Sequence, residues 1–113
     1  MKLSELIEAG AVVQSGYQKV VTKWTNEDTG KEYEFDVEVK REMSAADHDF
    51  ILIGYAQADG EDKSYMVRRV HRMVRLDGQA IPLATAESFK VTLLMALCAA
   101  IDAKEVKPVE KKK

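Results

Sequence analysis

The chain has 113 residues, of which 46% are hydrophobic and 32% are charged, and it contains only six glycines and two prolines. This length and composition are typical of one globular domain and exclude collagen-like and wholly disordered chains. Because 17 basic residues stand against 19 acidic ones, the formal net charge is −2, and the molecule as a whole has no bulk attraction for nucleic acid or for an anionic membrane.

The sequence predicts neither export nor membrane insertion. Glu5 and Glu8 interrupt the apolar segment that a signal peptide would need. The longest apolar run, Leu93 to Ile101, has nine residues, about half of the roughly 18 that cross a bilayer. Cys98 is the single cysteine, which excludes an internal disulfide and a cysteine-cluster metal site. We therefore expect a cytoplasmic protein in a reducing compartment.

The N-terminal part of the chain is predicted to form a short helix and a β-hairpin. Ser4 to Gly10 is typical of a short helix with Ser4 as its N-cap and Gly10 as its stop. Tyr17 to Thr25 is rich in residues that favour strands, and Glu32 to Arg41 alternates strictly between apolar and charged side chains. The polar loop between them contains a glycine, so we expect the two strands to pair antiparallel.

Three helices are expected after the hairpin. The first spans 44–58 and begins at a capping box formed by Ser44 and Asp47. The second has apolar residues at helical spacing from Met66 to Val74, and the third runs from about Ala86 to Lys104. The predicted fold class is therefore α+β, an N-terminal antiparallel β-hairpin followed by a small bundle of three α-helices. We expect one globular domain over residues 1–103 and a mobile charged C-terminal tail over residues 104–113.

Few residues of the chain could support catalysis. The sequence contains no HExxH, no GxSxG and no glycine-rich phosphate loop. Asp47, His48 and Asp49 are adjacent on a predicted helix, where neighbouring side chains point in different directions and cannot converge on one ion. We interpret them as a solvated acidic first turn that the helix dipole stabilises, and Cys98 as a small buried apolar residue. We expect no enzyme activity, no cofactor and no metal.

Charge is distributed unevenly along the chain. Between Glu27 and Asp62 there are twelve acidic residues and three basic ones, and four of the five arginines follow shortly afterwards. These arginines could solvate the outer face of an amphipathic helix, dock on the acidic hairpin of the same or a neighbouring subunit, or contact nucleic-acid phosphates. No aromatic residue lies among them to stack on bases, which disfavours nucleic acid. The candidate electrostatic docking residues are Arg68, Arg69, Arg72 and Arg75.

The last predicted helix is apolar around nearly its whole circumference. A chain of this length buries somewhat more than about 60% of its unfolded surface, and one hairpin with two or three short helices can hardly wrap such a helix on every side. We therefore expect self-association or contact with a hydrophobic partner. The alternative that the chain encloses this helix by itself stays open. The candidate contact residues are Phe89, Leu93, Leu94, Leu97 and Ile101.

Three segments in their order along the chain resemble the tail assembly chaperones of long-tailed bacteriophages. They are the strand and capped helix FDVEVKREMSAADHDFI, the basic segment VRRVHRMVRLDGQAIPL and the apolar helix SFKVTLLMALCAAI. The likeness spans Tyr33 to Ile101, which is most of the chain. It is a likeness of pattern and segment order, without a catalytic signature.

The resemblance implies a function in virion morphogenesis. Tail assembly chaperones are late proteins made in the infected cell, where they form oligomers, bind the tape measure protein to keep its apolar helices from aggregating, and help bring tail tube subunits to it. The resemblance thus implies a homo-oligomer in the host cytoplasm that is absent from the mature virion, with the tape measure and tail tube proteins as partners. Two other interpretations stay open, a structural tail or assembly protein retained in the particle and a small nucleic-acid-binding regulator that uses the arginine segment.

Overall fold

The computed structural model describes residues 1–13, 16–57 and 62–105. It confirms the predicted fold class, because an antiparallel β-hairpin is followed by several helices in an α+β arrangement. The strands form one sheet in the order β1-β2-β3-β4. The elements in chain order are α1 (Leu3–Glu8), β1 (Tyr17–Asn26), β2 (Lys31–Lys40), α2 (Ala45–Gln57), α3 (Asp62–Met73), β3 (Val74–Leu76), β4 (Gln79–Ala80), α4 (Leu83–Glu87) and α5 (Val91–Glu105).

The predicted hairpin of β1 and β2 is confirmed, with a register that is continuous over the whole length of both strands. In the turn, the Gly30 N–H donates to the Asn26 carbonyl at 2.7 Å, and Gly30 takes a φ of +75°, which a glycine adopts without strain. The alternation of β2 places Val37 and Val39 in the core and the charged side chains between them on the opposite face.

The segment after α3 differs from its prediction. Val74 and Arg75, predicted to continue a helix, lie in β3, where Arg75 pairs with Glu38 of β2. The chain turns because Asp77 and Gly78 adopt φ values of +53° and +77°, as in the type I′ turn that joins two short antiparallel strands. Val74 is buried in the sheet, so the apolar stripe that indicated a longer helix is continued by a strand.

The first helix begins earlier than predicted. The Glu5 carboxylate accepts a hydrogen bond from the Lys2 backbone N–H at 2.7 Å and so caps the helix from its own first turn. Lys2, rather than Ser4, is therefore the N-cap, and α1 starts at Leu3. Its predicted end is confirmed within two residues, since Gly10 follows with a φ of +99°.

The predicted helix over 86–104 is two helices, α4 and α5, separated by residues 88–90. The Ser88 hydroxyl donates to the Ala84 carbonyl at 3.3 Å at the C-terminal end of α4, where the backbone leaves the helical path. The carbonyl of Lys90 then accepts the first hydrogen bonds of α5. Phe89 consequently lies in the connection and is not part of the stripe on α5 that was predicted to contain it.

The core lies between the inner face of the hairpin and helices α3 and α5. Two hydrogen bonds fix α5 along β1: the Thr22 hydroxyl donates to the Ala96 carbonyl at 3.3 Å, and Trp24 Nε1 donates to Thr92 Oγ1 at 3.0 Å. Because 92 precedes 96 whereas 24 follows 22, α5 runs antiparallel to β1. The largest apolar side chains at the centre of the core are Met73, Leu94, Leu97, Ile101, Val37, Val39, Val70 and Val74.

The C-terminal boundary predicted at residue 103 falls inside α5, which continues to Glu105. The rest of the predicted tail, residues 106–113, lies outside the described residues. Across the described ranges, no helix combines the length and the apolar character needed to cross a membrane.

Candidate partner-binding surface

Helix α1 presents an apolar face that is exposed in the described part of the chain. Leu3, Leu6 and Ile7 lie at i, i+3 and i+4, and 72%, 42% and 49% of their respective surfaces are exposed. Full burial of such a side chain is worth about 1.5–3 kcal/mol. An amphipathic helix with this face uncovered is suited to contact with an apolar partner.

Most of α5 is enclosed by its own chain, so the expectation that it stays uncovered is wrong for most of its circumference. The hairpin covers one side of it and α3 covers another. Among the described side chains of α5, an apolar stripe of Val91, Met95, Ala99 and Ala103 at spacings of four residues stays exposed, with Met95 56% exposed, and the polar Thr92 and Asp102 are exposed beside it. The alternative interpretation, in which the chain encloses this helix by itself, therefore describes α5 better than an uncovered helix does. The exposed stripe is the exception.

The structure places the predicted contact residues mainly inside the protomer. Leu94, Leu97 and Ile101 are at most 1% exposed, while Phe89 and Leu93 are partly buried against the core. This corrects the prediction for Leu94, Leu97 and Ile101, because a partner cannot reach side chains that lie beneath the sheet. The large apolar side chains that the described part of α5 exposes are Val91 and Met95 instead.

Leu3, Leu6 and Ile7 are surface residues that sequence reasoning missed as contact candidates. For α1 a signal was present, since three apolar residues at helical spacing had no other segment assigned to cover them. Met95 suits an adaptable surface by its residue type, but a helix that is apolar all round does not reveal which side faces solvent.

The outer face of the hairpin is acidic along β2. Glu32, Glu34 and Asp36 are exposed there, at alternate positions. Two lysines of β1 lie directly opposite acidic residues in the register, Lys23 opposite Glu34 and Lys19 opposite Glu38. The remaining negative charge faces solvent, where it favours solubility of the chain and of any complex it forms.

The four candidate docking arginines do not share one helix face, since Arg75 lies on β3. Each guanidinium is engaged within the chain: Arg69 with Asp102 on α5, Arg72 with Asp47, Arg75 with Glu38 at 3.4 Å, and Arg68 with α2. The pair of Arg75 and Glu38 joins the arginine segment to the acidic hairpin of the same chain. A docking partner would have to share or displace these contacts.

Arg68 and Arg72 also pack on the aromatic ring of Phe50. The Arg68 guanidinium carbon lies 3.9 Å from the ring centroid, and its Nε donates to the Phe50 carbonyl at 2.8 Å. The Arg72 guanidinium carbon is 5.1 Å from the same centroid. These cation–π contacts hold α3 against α2, so the two arginines stabilise the packing of the protomer.

Asp47 is fully buried, which corrects its interpretation as part of a solvated acidic turn. Lys40 Nζ lies 2.8 and 2.7 Å from its two carboxylate oxygens, and Arg72 Nε lies 2.6 Å from Oδ1. The predicted capping box is confirmed, because the Ser44 N–H donates to Asp47 and the Asp47 N–H donates to Ser44 Oγ. Burial by itself raises the pKa of Asp47, but the hydrogen bonds from Lys40, Ser44 and Arg72 outweigh it and hold the pKa well below its usual range.

An open cleft of about 410 Å³ lies where the hairpin turn meets the start of α5. Lys90 Nζ pairs with the Asp28 carboxylate at 3.0 Å across it, and this carboxylate raises the pKa of Lys90. Glu27 and Val91 also line the cleft. The acidic turn therefore lies near the positive end of the α5 dipole, which orients the hairpin on the helix.

The described side chains do not form a catalytic or metal-binding group. No three His, Cys, Asp or Glu residues of the described ranges come together as a metal site requires. His48 and Asp49 are exposed whereas Asp47 points into the core, so these neighbours do not converge. Cys98 is buried, as predicted, and burial raises the pKa of its thiol, which keeps it protonated at neutral pH.

The described residues thus expose apolar surfaces on α1 and along the stripe of α5, and an acidic surface on the outer face of the hairpin. Comparisons of this chain with protein-family models, with curated proteins and with solved structures found no match.

Proposed function

We propose that this protein is a phage tail assembly chaperone that binds the tape measure protein, keeps it soluble and promotes recruitment of tail tube subunits. The observation that supports this proposal most directly is the uncovered apolar face of α1, formed by Leu3, Leu6 and Ile7. A folded domain that leaves such a face in water is suited to hold another apolar helix. The resemblance in segment order from Tyr33 to Ile101 supplies the identity of the client.

The proposed mechanism is holding, without catalysis and without a cofactor. The apolar face of α1 and the exposed stripe of α5 pack against an amphipathic helix of the client. Met95 suits a surface that must fit varied sequences, because its side chain is flexible and polarizable. The acidic outer face of the hairpin keeps the complex in solution. Binding of the client shifts it away from aggregation by mass action.

In this proposal the protein acts in the host cytoplasm, as a homo-oligomer, and leaves before the virion is complete. Mass spectrometry of purified particles tests this part. We expect only trace amounts of the chain in mature particles. Stoichiometric copies would instead support a structural tail or assembly protein.

The holding activity is tested by the turbidity of a tape measure segment diluted from denaturant. We expect the wild-type chain at equimolar concentration to suppress the turbidity. Leu6→Glu places a charge on the apolar face of α1 and should reduce this suppression several-fold, whereas Ser4→Glu adds the same charge off that face and should leave it unchanged. Equal suppression by both variants, or none by the wild type, would contradict the proposal.

A further inference from the structure

We propose that two copies of this chain pair through the free edges of β1, which joins their sheets across a twofold axis. β1 is the outermost strand of the sheet, and among the described ranges no strand pairs with its other edge. The Arg41 N–H donates to the Gly16 carbonyl at 3.1 Å, so the even-numbered residues of β1 exchange hydrogen bonds with β2. The odd-numbered residues therefore turn their N–H and C=O groups to the free edge. A long edge without proline or bulge is a template for another strand.

The side chains of β1 favour a twofold axis at Thr22 over one at Val21. An axis at Val21 would place Lys19 opposite the Lys23 of the second copy, and like charges directly opposite are unfavourable. An axis at Thr22 places Val21 opposite Lys23, whose aliphatic stem can cover the exposed valine. This position of the axis removes the charge conflict and keeps the odd-numbered residues paired.

On the inner face, the same axis gives favourable cross-strand pairs. Thr22 of one copy lies opposite Thr22 of the other, and Val20 of each copy lies opposite Trp24 of the other. Pairs of threonines and pairs of an aromatic with a β-branched residue both stabilise antiparallel strands. The β1 edge is therefore self-complementary in this register, which favours a second copy over an unrelated strand as its partner.

Helix α5 supplies the second layer of the proposed interface. It packs under both β1 and β2, so its axis lies inward of the sheet edge. With edge strands about 4.8 Å apart, the two α5 axes would be separated by roughly 10 Å, the usual distance for packed helices. Ala96 would lie near the axis, because Thr22 donates its hydroxyl hydrogen to the Ala96 carbonyl.

The side of α5 turned toward the second copy is apolar and mostly small. The opposite side is occupied by α3, through the pair of Arg69 and Asp102. Ala99 and Ala103 are exposed beside the contact of Thr92 with β1, whereas Met95, seven residues before Asp102, lies on the face of that ion pair. Pairing across the axis would bring Ala99 and Ala103 toward the second copy and leave Met95 exposed for the client. This pairing rests on the proposed function in one respect, the homo-oligomer, to which it assigns an interface, and it requires no client.

Sedimentation equilibrium of the full chain tests the pairing. We expect the wild type to dimerise, and Val21→Pro to raise the dissociation constant at least tenfold, because proline removes an N–H that only the second copy would use. Asp36→Pro is the matched control. Asp36 lies directly opposite Val21 in the register and turns its N–H to the other edge of the hairpin, so the dissociation constant should not change. A monomeric wild type, or equal effects of the two prolines, would overturn the proposal.

Disulfide trapping provides a measurement that does not depend on tolerance of proline. Thr22→Cys places one thiol from each copy at a non-hydrogen-bonded pair, where the Cα atoms are about 4.5 Å apart and a disulfide can form. We expect a covalent dimer on oxidation of this variant and none for the wild type, whose Cys98 is buried. Trapping through Val20→Cys in place of Thr22→Cys would overturn the assigned register.

Discussion

Lys40 and Asp47 form a bidentate ion pair that joins the end of β2 to the first turn of α2, with Lys40 Nζ at 2.8 and 2.7 Å from the two carboxylate oxygens. Arg72 of α3 completes the group through the same carboxylate. One buried acidic side chain thus connects three elements that are separated in sequence. Asp47 has no exposed surface, whereas Lys40 and Arg72 are about one third exposed.

We predict that Asp47→Asn destabilises the fold by about 2–4 kcal/mol. Removal of one partner from a buried ion pair costs about 3–5 kcal/mol, and the partial exposure of Lys40 and Arg72 reduces that cost. Urea unfolding measures the change. Asp49→Asn, an exposed change two residues away on the same helix, is the control and should stay within about 0.5 kcal/mol.

We also predict that acid destabilises the wild type more than it destabilises Asp47→Asn. The pKa of Asp47 is depressed in the folded chain, so below about pH 4 the unfolded state binds a proton that the folded state does not. The stability contributed by Asp47 is complete above that pH and is lost as the pH falls toward the folded pKa. Unfolding midpoints compared at pH 7, 4 and 3 should therefore show the gap between wild type and variant narrowing. A constant gap would contradict the assignment.

Gly78→Ala should destabilise the chain by about 1–2 kcal/mol. Gly78 takes a φ of +77° in the turn between β3 and β4, a backbone conformation in which a Cβ atom is unfavourable. There is open space around Gly78, so the cost comes from the backbone and not from a clash. Thermal unfolding measures it, and Gln79→Ala, which alters an exposed side chain beside the turn, should have little effect.

The two sides of α5 should respond differently to truncation. Leu97→Ala removes a fully buried side chain and should cost about 2–5 kcal/mol of unfolding free energy. Met95→Ala, on the exposed stripe, should change stability by less than about 0.5 kcal/mol. If the costs measured by chemical denaturation were equal, the assignment of the buried side would be wrong.

The hairpin could be predicted from sequence because its signals are local. The strict alternation of β2 sets which side chains face the core, and Gly30 supplies the positive φ of the turn. Asp77 and Gly78 are an equally strong local signal for a second hairpin. The helical spacing of the preceding segment obscured it, because Val74 is buried in a strand just as it would be on that helix.

Burial of the charged residues could not be predicted in the same way. Asp47 lies seven residues after Lys40 and 25 before Arg72, and no local rule brings these three side chains together. The same holds for Arg69, which reaches Asp102 on α5. Because unpaired charges favour solvent, the sequence alone assigns such residues to the surface.

The sequence by itself determined the α+β class and the hairpin of this protein, together with an apolar helix near its C-terminus, since these depend on periodicity and turn chemistry over a few residues. Only the tertiary structure decided that α5 is mostly enclosed, while the described residues leave α1 and the edge of β1 uncovered. The tertiary structure also pairs Asp47 with Lys40 and Arg72, so a residue of the predicted acidic first turn lies in the core. The physical reason is that burial and charge pairing depend on which distant surfaces meet, and helical or strand periodicity specifies an apolar face without specifying what covers it.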